Sequence, residues 1–402
     1  MEKLWNREYL KVWGSNFLMN FAFWLLTPLL PLYLTDTYGA NKEVIGLVLS
    51  GYAAAALFIR PFSGYLVDSL PRKLLLLICY GLTAIFFGLY MAAGSLALFA
   101  VCRTLHGAPF GATGVSLTTV AIDVLPSSRR AEGIGYFGLS NNIATAISPS
   151  IALLIFSQCH SYNVLFIISL ICALLGLALN CTLNLKPKSC SEAVLQRSGH
   201  SAKGGRFPIS LDRFLLLKAW ALFIVMFTCA FAYSVLSTYV AIYGRERLGI
   251  TTGTGLFFAL FAIGLIVARL IGGQNLRKGK MVWNASFGML VSICGFTLFA
   301  GVHQEWAYYL APFIIGLGNG HLWPAFQNMF LNLAPNNQRG TANSTLLTSW
   351  DLGMGVGMLV GGSIAEHFGY FSAFWTGVSL FLCGIIFFFA FAKNHYLKYK
   401  LV

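Results

Sequence analysis

Mainly apolar stretches follow one another along the chain, each close to the ~20 residues that cross a bilayer as a helix. Twelve of them cover approximately residues 10–34, 43–67, 73–93, 96–124, 131–156, 162–183, 214–243, 252–273, 281–301, 305–333, 341–365 and 370–392. Lipid leaves unpaired backbone groups unsatisfied, so helix is the expected state of each span. Polar residues inside the spans are sparse and recur at helical spacing. Asn16, Asn20 and Thr27 accompany Phe23 and Trp24 in span 1, and Asn141, Thr145 and Ser148 mark span 5. Tyr233 and Ser237 mark span 7, Asn319, Trp323 and Gln327 span 10, and Ser344, Thr348 and Asp351 span 11. Such stripes either line a cavity or bond neighbouring helices together; as a set they are read as cavity lining. One connection is long. Residues 184–212 are polar, basic and rich in Gly and Pro, which predicts a loop dividing the chain into six-span units at 1–183 and 213–402.

The two units repeat one another at an offset of 209 residues. Arg60 with Gly64 recurs as Arg269 with Gly273, Gly46 as Gly255, Gly107 as Gly316 and Gly111 as Gly320. Pro126-Ser-Ser-Arg-Arg130 likewise recurs as Pro335-Asn-Asn-Gln-Arg339. Six spans per unit in the same orientation predict parallel bundles related by a pseudo-two-fold axis along the membrane normal, with a ligand site between them.

Composition agrees: 57% of the 402 residues are hydrophobic and 10% charged, too little charge for a soluble surface. The net charge of +14 could suggest nucleic acid, but its placement argues otherwise. Lys42, Arg245 and Arg247 stand on one side and Arg60, Arg103 and Arg269 lie inside spans, while the rest of the 27 Lys and Arg cluster on the other side. Positive charge marks the cytoplasmic face. The expectation is therefore a multi-pass plasma (inner) membrane protein with both termini in the cytoplasm, no cleavable signal peptide, no nucleic-acid partner and activity as a monomer. The nine cysteines are scattered, without metal-ligand or disulfide spacing.

After span 2 the chain reads Gly64-Tyr-Leu-Val-Asp68-Ser-Leu-Pro-Arg72-Lys73. This resembles the signature loop of the major facilitator superfamily, with Ser69 and Pro71 departing from its usual basic residue and glycine. The resemblance covers essentially the whole chain and implies the superfamily's all-α, twelve-helix fold. It also implies that Asp68 faces the N-terminal end of span 11 and that Arg72 bridges to an acid low on span 4, where Asp123 stands. Gly64, Asp68, Arg72, Lys73 and Asp123 are the expected gate. The second copy, Gly272-Gly-Gln-Asn-Leu-Arg277, lacks the acid. Arg103-Thr-Leu-His106-Gly107 in span 4 resembles a motif of proton-driven members, and the family places spans 1, 4, 7 and 10 around the cavity. Gly133-Ile-Gly135 through Ser148-Pro149 loosely resembles the antiporter motif, without its flanking glycines.

Asp351 is the one carboxylate placed deep within a span, near the midplane. A charged group there is costly without a partner or water, and it can exchange a proton when access alternates. Asp351, Arg103 and His106 are the proton-coupling candidates. Asn16, Asn20, Trp24, Arg103, Asn141, Tyr233, Asn319, Trp323, Gln327 and Asp351 are the cavity candidates. Arg60 and Arg269 are read as structural or gate-forming, with side chains free to snorkel to the interface. No Walker, HExxH, GxSxG or CxxC pattern occurs, so neither enzyme nor cofactor nor metal is expected. The expected function is secondary transport of a small neutral or amphipathic organic solute, with anionic groups allowed by Arg103. Proton-coupled efflux is favoured, as in the drug and sugar efflux branch. A proton-coupled nutrient importer is the alternative, followed by a non-transporting receptor or scaffold.

Overall fold

The computed structural model describes residues 4–126, 129–185, 215–250, 254–277, 279–335 and 339–401. These are almost entirely helical: α1 (Arg7–Leu26), α2 (Leu30–Tyr38), α3 (Lys42–Ser69), α4 (Arg72–Ala92), α5 (Leu96–Val124), α6 (Arg130–Cys159) and α7 (Tyr162–Cys181) form the first bundle. The second contains α8 (Trp220–Leu248), α9 (Thr254–Arg277), α10 (Met281–Gly301), α11 (Glu305–Leu333), α12 (Arg339–Phe387) and, after a π-helical turn, α13 (Lys393–Tyr399). The fold is all-α, with twelve membrane crossings in two six-helix halves. The loop expected at 184–212 lies almost wholly outside the described residues, as do the surroundings of Gly64, Asp68 and Arg269.

Local chemistry sets the ends of the helices. Asn6 caps α1 by accepting from the Tyr9 amide at 2.8 Å, and Asn41 caps α3 by accepting from Val44 at 2.9 Å, each satisfying one of the orphan N–H groups of a first turn. The first crossing is broken: α1 and α2 meet at 42° around Pro28 and Pro31, because proline supplies no N–H to continue the ladder. At 49 residues, α12 would be about 74 Å long as one rod at 1.5 Å per residue, far beyond the ~30 Å hydrocarbon thickness. Gly369 resolves this, its φ of 81° turning the chain so that the element makes two crossings.

The sequence repeat is visible in the packing. A side chain at Gly107 would collide with the carbonyl oxygen of Tyr52, and one at Gly316 with that of Phe261. Tyr52 and Phe261 are themselves mates at the repeat offset. Gly111 meets Ala56 and Ile59, and Gly320 meets their mates Leu265 and Ala268. The α3–α5 and α9–α11 contacts are thus two copies of one close backbone approach, which only glycine permits. Between halves, α3 packs on α12 through Gly46 against Met358, and α9 packs on α6 through Gly255 against Ser150. Either Gly107→Val or Gly316→Val is expected to reduce the folded, monodisperse yield in detergent several-fold. Gly114→Ala, with nothing within 4 Å of the new methyl, is the matched control and should leave it unchanged.

Asp36 on α2 and Arg245 on α8 are exact repeat mates, 209 residues apart, and they pair at 2.8 Å. In a two-fold arrangement, mates meet only on the axis. This ion pair therefore marks the pseudo-two-fold axis at the end of the bundles opposite the chain termini.

Candidate functional site

An ion pair joins the two halves deep in the protein. Arg60 Nε of α3 lies 2.5 Å from Asp351 Oδ2 of α12, with the two side chains 13% and 17% exposed. Asp351 is about 18 Å along α12 from its start, at 1.5 Å per residue. One turn further, Gly355 rests against the Ala53 methyl, its would-be Cβ at 3.0 Å, holding α3 and α12 close enough for the side chains to meet. The partner of Asp351 corrects one expectation. Arg60 does not run to the interface: a carboxylate at the same depth offers its guanidinium a stronger partner than a route to water along its own stem. Each charge makes the other's burial tolerable.

A second charge lies alongside. Arg103 of α5 is 4% exposed, its guanidinium 4.2 Å from the Tyr52 ring centre and 5.4 Å from that of Phe23, a cation–π arrangement. Its Nη1 donates to Tyr90 Oη at 3.1 Å, and Tyr90 Oη is 2.6 Å from Nδ1 of the fully buried His106. Phe23, Tyr52 and Phe110 pack together with centroids 4.5 to 5.7 Å apart. The second half presents a comparable aromatic wall: Tyr233 lies 5.6 Å from Phe261 and 5.7 Å from Trp350, and Trp350 meets Trp323 edge-on at 4.9 Å. Tyr52 and Phe261 again occupy mated positions.

The polar stripes divide. Asn16 is buried and donates to Ser140 Oγ of α6 at 2.7 Å, and Asn20 donates back to Asn16. Asn319 is buried and accepts from Ser292 of α10 at 3.1 Å. Asn16 and Asn319 thus join helices within a half, while Asn20 bonds back along its own helix. Trp24, Trp323 and Gln327 are half-buried and Asn141 is exposed, while Thr348 is buried one turn from Asp351. The sequence pattern could not separate the two uses, because both place amides at the same helical spacing.

At the end bearing the termini, Arg72 Nη1 pairs with Asp123 Oδ2, and Lys73 donates to the carbonyls of Cys181 and Leu183 at 2.9 and 2.7 Å. These contacts stay within the first half. The opposite end carries pairs between halves: Asp36–Arg245, Lys42–Glu246 at 3.7 Å, Glu43–His367 at 3.3 Å, and the Lys42 amide donating to Glu366 at 3.0 Å. Tyr162 and Tyr370 brace this cluster by donating to Asp36 and Glu246 at 2.6 and 2.8 Å. Sequence inspection missed this set. The available signal was the opposite charge of Asp36 and its repeat mate Arg245.

The sequence pattern that defines the Major Facilitator Superfamily matches residues 12–355 and 285–400. The chain belongs to the Major Facilitator Superfamily. It is 24% identical over 376 residues to the quinolone resistance protein NorA of Staphylococcus aureus (strain COL), covering 90% of each chain. It is 26% identical over 341 residues to the class G tetracycline resistance protein of Vibrio anguillarum, covering 82% of each. Among solved structures, the peptide transporter POT in complex with sulfate matches with a TM-score of 0.77 at 14% identity over 98% of this chain and 96% of that one. The human organic anion transporter TETRAN matches with a TM-score of 0.70 at 20% identity over 95% and 98%. At these identities the structural likenesses bear on the fold. The protein is a multi-pass membrane transporter of the superfamily, a family whose members bind small-molecule substrates.

Proposed function

We propose that the protein exports a small organic solute in exchange for protons, by alternating access around a site between the two halves. The Arg60–Asp351 pair carries this reading. It is a titratable acid held between the bodies whose relative rocking constitutes transport, and it stands beside aromatic walls on both sides. Protonating Asp351 removes its charge and frees Arg60, loosening the α3–α12 interface; loss of the proton restores the pair. Thus the protonation state biases which arrangement the halves adopt, as coupling requires. Arg103 and His106 flank this step, and Trp24, Tyr233, Trp323 and Gln327 contact the solute. The gate role of Gly64, Asp68, Arg72, Lys73 and Asp123 belongs to the same reading, as do the bundle limits at 183 and 213.

Outward transport is favoured by two relatives described as drug-resistance proteins, since a membrane carrier most simply confers resistance by export. With the basic residues taken as cytoplasmic, the paired end is the outer one and the structure is closed to the outside. The test uses purified protein in proteoliposomes with a panel of labelled solutes and a pH gradient imposed in either direction. Solute movement against its own gradient is expected only when the proton gradient runs opposite to the solute's path. Uptake together with protons would instead establish an importer, and no gradient dependence for any solute would end the proposal.

A further inference from the structure

Arg103 is a buried cation without an ion-pair partner among the described residues. Among the described residues, no carboxylate lies within 4 Å of it. Asp351, which like Arg103 lies within electrostatic reach of Tyr52, is already paired with Arg60. The buried centre made by Arg60, Asp351 and Arg103 therefore carries an excess positive charge, with Tyr52 within electrostatic reach of all three. An uncompensated cation at this depth is expensive, and cation–π contacts offset only part of the lost hydration.

The neighbouring hydrogen bonds sharpen the point. Arginine can only donate, so Tyr90 Oη accepts from Arg103 and its own hydrogen goes to His106 Nδ1. The His106 proton is then on Nε2, and that N–H has no partner. Arg103 Nε–H and the Tyr52 hydroxyl also lack partners, and all three atoms are buried. Three orphans in one cluster are all capable of donating, and no acceptor is supplied. Buried donors are normally satisfied. The cluster is complete only with an acceptor from outside the chain.

We infer that Arg103, with His106 and Tyr52, forms an anion subsite that takes the carboxylate of an organic acid whose apolar or aromatic body lies against Phe23 and Phe110. Both rings are half-buried, unlike Tyr52 and Tyr90, so they are the faces an entering ligand meets. This rests on the transport reading above and specifies its substrate class. It assigns Arg103 to binding and leaves the proton step to Asp351.

Binding to the purified protein in detergent, followed by tryptophan fluorescence, separates this from the transport reading because it needs no gradient. The probes are three matched pairs of equal shape: benzoate and benzamide, salicylate and salicylamide, 2-naphthoate and 2-naphthamide. At least one acid is expected to bind tenfold or more tighter than its amide. Arg103→Gln should erase that preference while leaving amide binding within about twofold, and Arg103→Lys, which keeps the charge, should retain part of it. Thermal unfolding of the two variants verifies that both are folded. If no acid outbinds its amide, or if Arg103→Gln keeps the preference, the subsite assignment fails. Acid-selective binding without proton-linked transport would uphold the subsite and remove the coupling mechanism.

Discussion

Asp351→Asn is expected to abolish proton-driven transport and, at the same time, to destabilise the protein. The first effect follows because the amide cannot exchange the proton whose binding frees Arg60. The second follows because Arg60 would be left as an unpaired charge between the halves, 13% exposed. Breaking a buried ion pair costs ~3–5 kcal/mol, whereas removing both partners is close to neutral. The two effects can therefore be separated. Combining Arg60→Gln with Asp351→Asn should restore most of the lost thermal stability without restoring proton-driven flux. If the double variant also recovers coupled transport, the pair is a structural tie and the coupling group lies elsewhere. If Asp351→Asn unfolds at the wild-type temperature, the pair contributes nothing to the closed state.

Clamping the axis should arrest the cycle. Asp36 and Arg245 face each other at 2.8 Å on the pseudo-two-fold axis, so rocking that opens this end must part them. Each is about one-third exposed, and such a pair contributes little alone, ~0–1 kcal/mol. A covalent link in its place cannot open at all. In a background without the nine native cysteines, Asp36→Cys with Arg245→Cys, bridged by a short reducible thiol cross-linker, should cut transport at least tenfold. Reduction should restore it. Full transport through cross-linked protein would mean that this end does not open.

The fold could be read from the sequence because its determinants are local and repeated. A span needs only ~20 apolar residues, and the offset linking Gly107 to Gly316 reports a helix contact used twice. Both glycines proved to sit against the backbones of mated residues, Tyr52 and Phe261. Depth along span 11 marked Asp351, and the Arg72–Asp123 contact expected from family resemblance is present. What stayed hidden was partnership across the halves. Arg60 and Asp351 are far apart in sequence, on helices that share no periodic signal, so nothing in either stretch names the other. The same holds for Lys42 with Glu246 and Glu366. The asparagines were ambiguous for another reason. Asn16 and Asn319 have the spacing of a cavity stripe but turn toward Ser140 and Ser292, a choice made by the neighbouring helix rather than by their own.

The coupling claim is tested most directly by reading the pH inside sealed proteoliposomes loaded with a transported solute, with no pH gradient imposed. Solute leaving through wild-type protein should draw protons inward and acidify the interior in proportion to the flux. Asp351→Asn should leave the interior unchanged. Solute flux through wild-type protein without any movement of protons would contradict the account.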